Sequence, residues 1–228
     1  MSQVEGAVDY LASPIAKFRP WVGPDDGRSP QQEFLRAAAT HQTRIFRTGN
    51  QSGKTMISCV DAVLRCTGWH PFARHRPPVR GWLVALDWEF GVGQVLWPTM
   101  KEWIPMSEVS SILWYRQTPP EIPAVINFKN GSRLEFKSAD SGRKKFQGAP
   151  LHFVGVDEEI PADIVEECGA RLVRHGGDFW AALTPIRRER WVIEKENERG
   201  AIVIRSSMSQ AAKAGILDDD AVVGYLDT

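Results

Sequence analysis

Several things are scarce in this 228-residue chain, and each scarcity excludes something. Cysteine occurs three times, as Cys59, Cys66 and Cys168, with no C-x-x-C pair. That argues against a disulfide framework and against a zinc site built on paired thiolates. No apolar run approaches the roughly 18–20 residues of a membrane span. The first twenty residues show no apolar core behind a basic start, so no secretory signal is expected. An excess of either charge is also missing: 28 basic and 28 acidic side chains sum to a formal net charge of zero. A globally basic coat for nucleic acid is thereby excluded, whereas a local basic strip is not. The nine tryptophans follow no period, so no repeat architecture is read; core and interface roles suit them better than base stacking. His41, His70, His75, His152 and His175 show no metal-ligand spacing. What remains is a soluble protein of a reducing compartment, with a composition of 43% apolar and 25% charged residues that is globular.

Residues 1–30 hold four prolines and the turn signal Pro24-Asp25-Asp26-Gly27, and read as an irregular arm. Strong helix formers fill 31–40. Arg44–Arg47 reads as a short strand, a polar turn covers 48–53, and apolar residues at Met56, Val60, Val63 and Leu64 give 54–67 a helical spacing. A proline-rich loop at 69–80 precedes a buried strand at 81–86 and a helix around 92–104. Residues 124–137 form a hairpin about Asn130-Gly131. Strands are expected at 151–156, 179–183 and 201–204, and a helix at 162–173. Alternating strands and helices predict an α/β fold: a mostly parallel central sheet with helices on both faces and an antiparallel edge hairpin.

Two stretches carry chemistry. Residues 48–55 read Thr-Gly-Asn-Gln-Ser-Gly-Lys-Thr, close to the phosphate-loop pattern G-x-x-x-x-G-K-[ST]. Gly53, Lys54 and Thr55 fit it; Thr48 stands where the first glycine belongs, with Gly49 one place late. Backbone N–H groups of Gly49, Asn50, Gln51 and Ser52 can surround phosphates, Lys54 can reach the β and γ groups, and the Thr55 hydroxyl can hold Mg²⁺. A chance Gly-Lys-Thr at a helix start is the ordinary alternative. The strand before the loop and the amphipathic helix after it favour nucleotide binding. The second stretch, Leu-His-Phe-Val-Gly-Val-Asp-Glu-Glu at 151–159, is an apolar strand ending in carboxylates. Asp157 would then share the Mg²⁺ with Thr55 at the carboxyl edge of the sheet, where ligands of open α/β sheets bind. Glu158 is placed to orient or deprotonate a water. Glu159 and Asp163 read as acids at a helix start, favoured by the dipole.

Together these stretches resemble the ATPase domain of the large terminase subunit of tailed bacteriophages, over about residues 28–205. Pro30-Gln31-Gln32-Glu33-Phe34-Leu35 is similar to the family's glutamine motif, which implies adenine contact for Gln31. Gly49–Thr55 is similar to the family's Gly-Asn-Arg-Ser-Gly-Lys-Thr. Asn127–Phe136 and Phe146-Gln147-Gly148 resemble the segment leading into Asp157-Glu158-Glu159-Ile160-Pro161. Leu183-Thr184-Pro185 followed by Trp191 resembles the coupling motif, which implies that Thr184 senses the γ-phosphate. The resemblance implies an additional-strand P-loop NTPase over 31–205, with 206–228 a helical tail or linker toward an absent nuclease domain. Asp218-Asp219-Asp220 reads better as a helix N-terminus than as a metal cluster, so no nuclease activity is expected.

The resemblance further implies ATP hydrolysis that drives double-stranded DNA into a procapsid in the host cytoplasm. It implies the portal protein and the small terminase subunit as partners, a homo-oligomeric (pentameric) ring, and no membrane. Gln51 and Gln147 stand where relatives have arginines, so a substitute finger is sought in Arg143, with Arg47 second. Three basic loop segments are candidates for DNA phosphates: His70–Arg80, Arg143–Lys145, and Arg187 with Arg188 and Arg190. A helicase-like ATPase and a nucleotide-responsive assembly scaffold are the alternative readings.

Overall fold

The computed structural model describes residues 10–23, 27–184 and 189–218. The turn at Pro24-Asp25-Asp26, Pro185 of the coupling motif, the basic residues Arg187 and Arg188, and Asp219 and Asp220 lie outside the described residues.

The elements in chain order are α1 (Pro30–Ala37), β1 (Thr43–Thr48), α2 (Lys54–Thr67), β2 (Arg80–Ala85), a π-helical segment (Trp88–Leu96) running into α3 (Trp97–Trp103), β3 (Val109–Arg116), β4 (Ile122–Phe128), β5 (Arg133–Ser138), β6 (Phe153–Asp157), α4 (Ala162–Leu172), β7 (Asp178–Leu183), α5 (Arg190–Glu196), β8 (Ala201–Ser206) and α6 (Met208–Lys213). One eight-stranded sheet has the order β3-β4-β5-β2-β6-β7-β1-β8. The strands from β5 to β8 are mutually parallel, and β4 is antiparallel to both neighbours. The fold is thus the expected α/β sheet with an antiparallel edge. Strand β7 lies between β1, which leads into the loop at 49–53, and β6, which ends in Asp157; this is the additional-strand arrangement.

Two details differ from the sequence reading. The hairpin is the inner part of a three-stranded meander, because β3 adds an outer strand with irregular register against β4. The helix expected from residue 92 begins at Trp88. The Asp87 side chain accepts from the N–H groups of Phe90 (2.6 Å) and Gly91 (3.3 Å) and so caps the chain early. The irregular arm folds against the domain: Ile15 and Trp21 are buried, and the Trp21 indole donates to the Ser52 carbonyl at 3.3 Å.

Strand residues alternate between two apolar layers, as a period of two requires. Phe46, Leu83, Phe153 and Trp180 face α1, α2 and α3, while Ile45, Val84, Val154 and Phe179 face α4 and α5. The first layer also holds a buried ionic network beneath the phosphate loop. Arg44 of β1 donates to Asp61 of α2 at 2.7 Å and to the Phe34 carbonyl of α1 at 2.9 Å. Arg65 pairs with Asp61 one turn away and with Asp178 of β7 at 2.6 Å, and Arg74 closes on the other Asp178 oxygen. Arg44 and Arg65 lie against the Trp180 ring, at 5.2 and 5.4 Å. Their positive charge holds the Asp61 carboxyl well below the usual carboxylate range despite complete burial.

Candidate nucleotide site

Three neighbouring strand ends converge at the carboxyl edge. The loop after β1 leads into α2, whose N-cap Gly53 has φ +83°, a left-handed conformation that glycine adopts without strain. A Cβ there would also stand 2.5 Å from the Gln31 amide nitrogen. The loop is braced from inside: Ser52 Oγ donates to the Gly49 carbonyl at 2.8 Å and touches Thr48 Oγ1. Thr48, in place of the usual first glycine, is therefore a buried hydroxyl that ties the two ends of the turn. Gln31 is fully buried behind the loop, its amide donating to the Gly53 carbonyl at 3.4 Å and accepting from the Trp21 N–H at 3.3 Å. Gln51 occupies the left-handed region at φ +58°.

Thr55, on the first turn of α2, donates to Asp157 Oδ1 at 3.0 Å across 102 residues of sequence. Asp157 is buried beside Glu158, and burial first, then the Glu158 charge, pushes its carboxyl up to about 7. Such a carboxylate gains from a cation. Hydroxyl and carboxylate oxygens suit Mg²⁺, which keeps several waters and needs only one or two protein ligands beside phosphate oxygens. Among the described residues no group of three or more His, Cys, Asp or Glu side chains has metal-binding geometry, as that sparse donor set implies.

Glu158 has φ +70°, uncommon for a residue with a side chain. It accepts from Thr184 twice, from the N–H at 3.0 Å and from Oγ1 at 3.2 Å. The Lys54 ammonium is 3.4 Å from Glu158 and donates to Thr184 Oγ1 at 2.6 Å. Thr184 Oγ1 also lies 3.1 Å from Asn50 Oδ1. Lys54, Glu158 and Thr184 are thus one hydrogen-bonded group. A cleft of about 520 Å³ opens beside it, lined by Arg47, Thr48, Gly49, Thr184, Arg205 and Ser206.

The remaining candidates are placed differently. Arg47 lines that cleft but pairs with Glu196 of α5 at 3.1 Å. Arg143 is half-exposed on the turn after β5 and pairs with Glu167 (3.3 Å) and Glu166 (3.7 Å) of α4. Glu159 does not open a helix: it lies before α4, is 3% exposed, and accepts the Glu189 N–H at 3.0 Å. With the Trp191 indole donating to the Ile160 carbonyl at 2.7 Å, it docks the start of α5 onto the residues after Asp157. Its spacing offered no signal for this, because the partner is thirty residues downstream.

Residues 112–216 match the family described as terminase large subunit, T4likevirus-type, N-terminal. That segment contains Asp157, Glu158 and Thr184 but not the phosphate loop. The fold matches the large terminase ATPase domain of Thermus phage P74-26, with a TM-score of 0.60, 19% identity, and coverage of 88% of this chain and 86% of that one. An arginine-to-alanine mutant of the same domain matches with a TM-score of 0.58 and 17% identity, at 88% and 86% coverage. No curated protein sequence is significantly similar.

Proposed function

We propose that this chain hydrolyses ATP to move double-stranded DNA into a viral procapsid, as the ATPase domain, residues 31–205, of a terminase large subunit. The observation that carries the reading is the meeting of Lys54, Thr55, Asp157, Glu158 and Thr184 at three adjacent strand ends. In this reading Gly49–Gly53 present backbone N–H groups to the phosphates and Lys54 neutralises charge on the γ group. Thr55 and Asp157 would hold Mg²⁺, which supplies Lewis-acid stabilisation of the phosphoryl oxygens. Glu158 orients the attacking water and takes its proton, while the γ-phosphate goes to that water and ADP leaves.

For this, Glu158 exchanges Thr184 for water. The same exchange frees Thr184 to answer the γ-phosphate and makes it the link to movement. Gln31 supports the loop from behind, and its adenine contact would replace the bonds it makes to Trp21 and Gly53. Arg143 would serve as a finger by exchanging Glu166 and Glu167 for the nucleotide of a neighbouring subunit in a ring. Portal protein and small terminase subunit are the partners, and the site of action is the procapsid in the host cytoplasm. Nuclease chemistry, which needs clustered carboxylates for two metals, is not assigned to the domain.

Phosphate release by Glu158→Gln tests the reading. Turnover should fall roughly 10²- to 10⁴-fold while nucleotide affinity is kept, and full turnover in this variant would overturn the assignment.

A further inference from the structure

The amino edge of the sheet gathers basic side chains from three separate stretches of sequence. Arg76 and Arg80 come from the loop after α2 and the start of β2, His152 precedes β6, and Arg174 and His175 follow α4. The three stretches meet through their histidines and Arg80. The His152 and His175 rings stack at 4.1 Å and 12°, and the His75 ring meets His152 edge-on at 5.3 Å. The Arg80 N–H donates to His152 Nδ1 at 3.0 Å, and His75 Nε2 is 3.4 Å from the Gly176 carbonyl. Arg76, Arg80, Arg174 and His175 are exposed.

Asp178, at the start of β7, is fully buried and already shared by Arg65 and Arg74. Arg171 is taken by Glu167 at 3.0 Å. Among the described residues no carboxylate pairs with Arg76, Arg80 or Arg174. Cations at a helix C-terminus are ordinary, and that accounts for Arg174 and His175. It does not account for Arg80, on a strand. Exposed arginines gathered on one surface repel one another, and a polyanion that covers them relieves the repulsion.

We propose that this amino-edge surface, centred on Arg80, Arg174 and the His75–His152–His175 cluster, binds the phosphate backbone of duplex nucleic acid. The choice of nucleic acid over an acidic protein rests on the proposed packaging function. The surface is separate from the nucleotide site: β6 spans the distance from His152 to Asp157, roughly 16 Å at 3.3 Å per residue. Contacts of this kind are independent of sequence and sensitive to salt. His152 is held neutral, since burial and the two neighbouring imidazoles push it down to about 4; the charge on this surface is that of the arginines.

The test is fluorescence anisotropy of a labelled duplex of about 30 base pairs with the full chain, without nucleotide, across 50–200 mM salt at pH 7.5. Arg80→Glu/Arg174→Glu should weaken binding at least about 10-fold and flatten the log–log salt slope by about 2, the share of two phosphate contacts. ATP turnover without DNA should stay at the wild-type level in this variant, which shows that it is folded. Loss of turnover in the wild type would count against the hydrolysis reading alone. Unchanged affinity and slope in the arginine variant, a wild type that does not bind the duplex, or stronger competition by polyglutamate than by unlabelled duplex would each overturn the proposal.

Discussion

Asp61→Asn is the most informative perturbation of the scaffold. The substitution keeps the shape of the side chain and removes its charge at a position with no solvent exposure. In the native protein the cations Arg44, Arg65 and Arg74 face two carboxylates, Asp61 and Asp178. Without Asp61 the same three cations face one carboxylate, and Arg44 loses the one ion pair it makes among the described residues. Arg44 cannot turn to water, because it is fully buried against the Phe34 and Trp180 rings. Breaking a buried pair by removing one partner typically costs about 3–5 kcal/mol. With a urea m-value of about 3 kcal/mol per molar for a chain of this size, the midpoint should fall by roughly 1–1.7 M. Equilibrium urea unfolding followed by tryptophan fluorescence reads this directly, since Trp180 sits in the network. Arg44→Met/Asp61→Leu removes both ends of the pair and should recover most of the loss. A midpoint shift under about 0.3 M for Asp61→Asn would refute the reasoning, as would a double variant no better than the single one. Because Arg44 and Asp61 join β1 to α2, the two elements that frame the phosphate loop, the single variant should also weaken nucleotide binding.

Two further outcomes follow from the site and the opposite edge. Glu159→Ala deletes the acceptor for the Glu189 N–H and should lower kcat with little change in the KM for ATP; Glu159→Gln, which keeps an acceptor oxygen, should restore most of the rate, and equal damage by both would show that the charge rather than the docking of α5 matters. His152 is held neutral in the fold, with its pKa pushed down to about 4, so its contribution to stability is complete above about pH 6.5 and is lost as pH falls from there toward 4. Urea midpoints measured against pH should decline over that window, and His152→Asn, which can still accept from the Arg80 N–H, should flatten the decline.

Elements whose signal is local were legible in the sequence. The loop at 48–55 is contiguous, and its Gly-Lys-Thr pattern is readable within a few residues. Strand β6 was readable because five buried residues in a row end at a carboxylate. Strand β3 was not, since its alternation is weak and its register against β4 is irregular. The early start of the helical segment before α3 depended on a cap by Asp87, a residue whose type is equally at home in a loop. Glu159 carries the same acidic composition as a helix start, and only its burial separates the two roles.

Taken alone, the sequence determined the α/β class and singled out Thr55 and Asp157, which the fold brings to 3.0 Å, because each rests on residue types at short range or on the end of an unmistakable strand. Tertiary structure decided the rest. Placing β7 between β6 and β1 brings Thr184 onto Lys54 and Glu158 across 130 and 26 residues of sequence. The same packing turned Arg74 and Arg143 from free basic residues into ion-pair partners, and gathered three scattered histidines at the amino edge. The physical reason is common to all of these: a side chain's partner is fixed by which strands lie side by side, and strand order leaves no trace in the local periodicity from which strands are read.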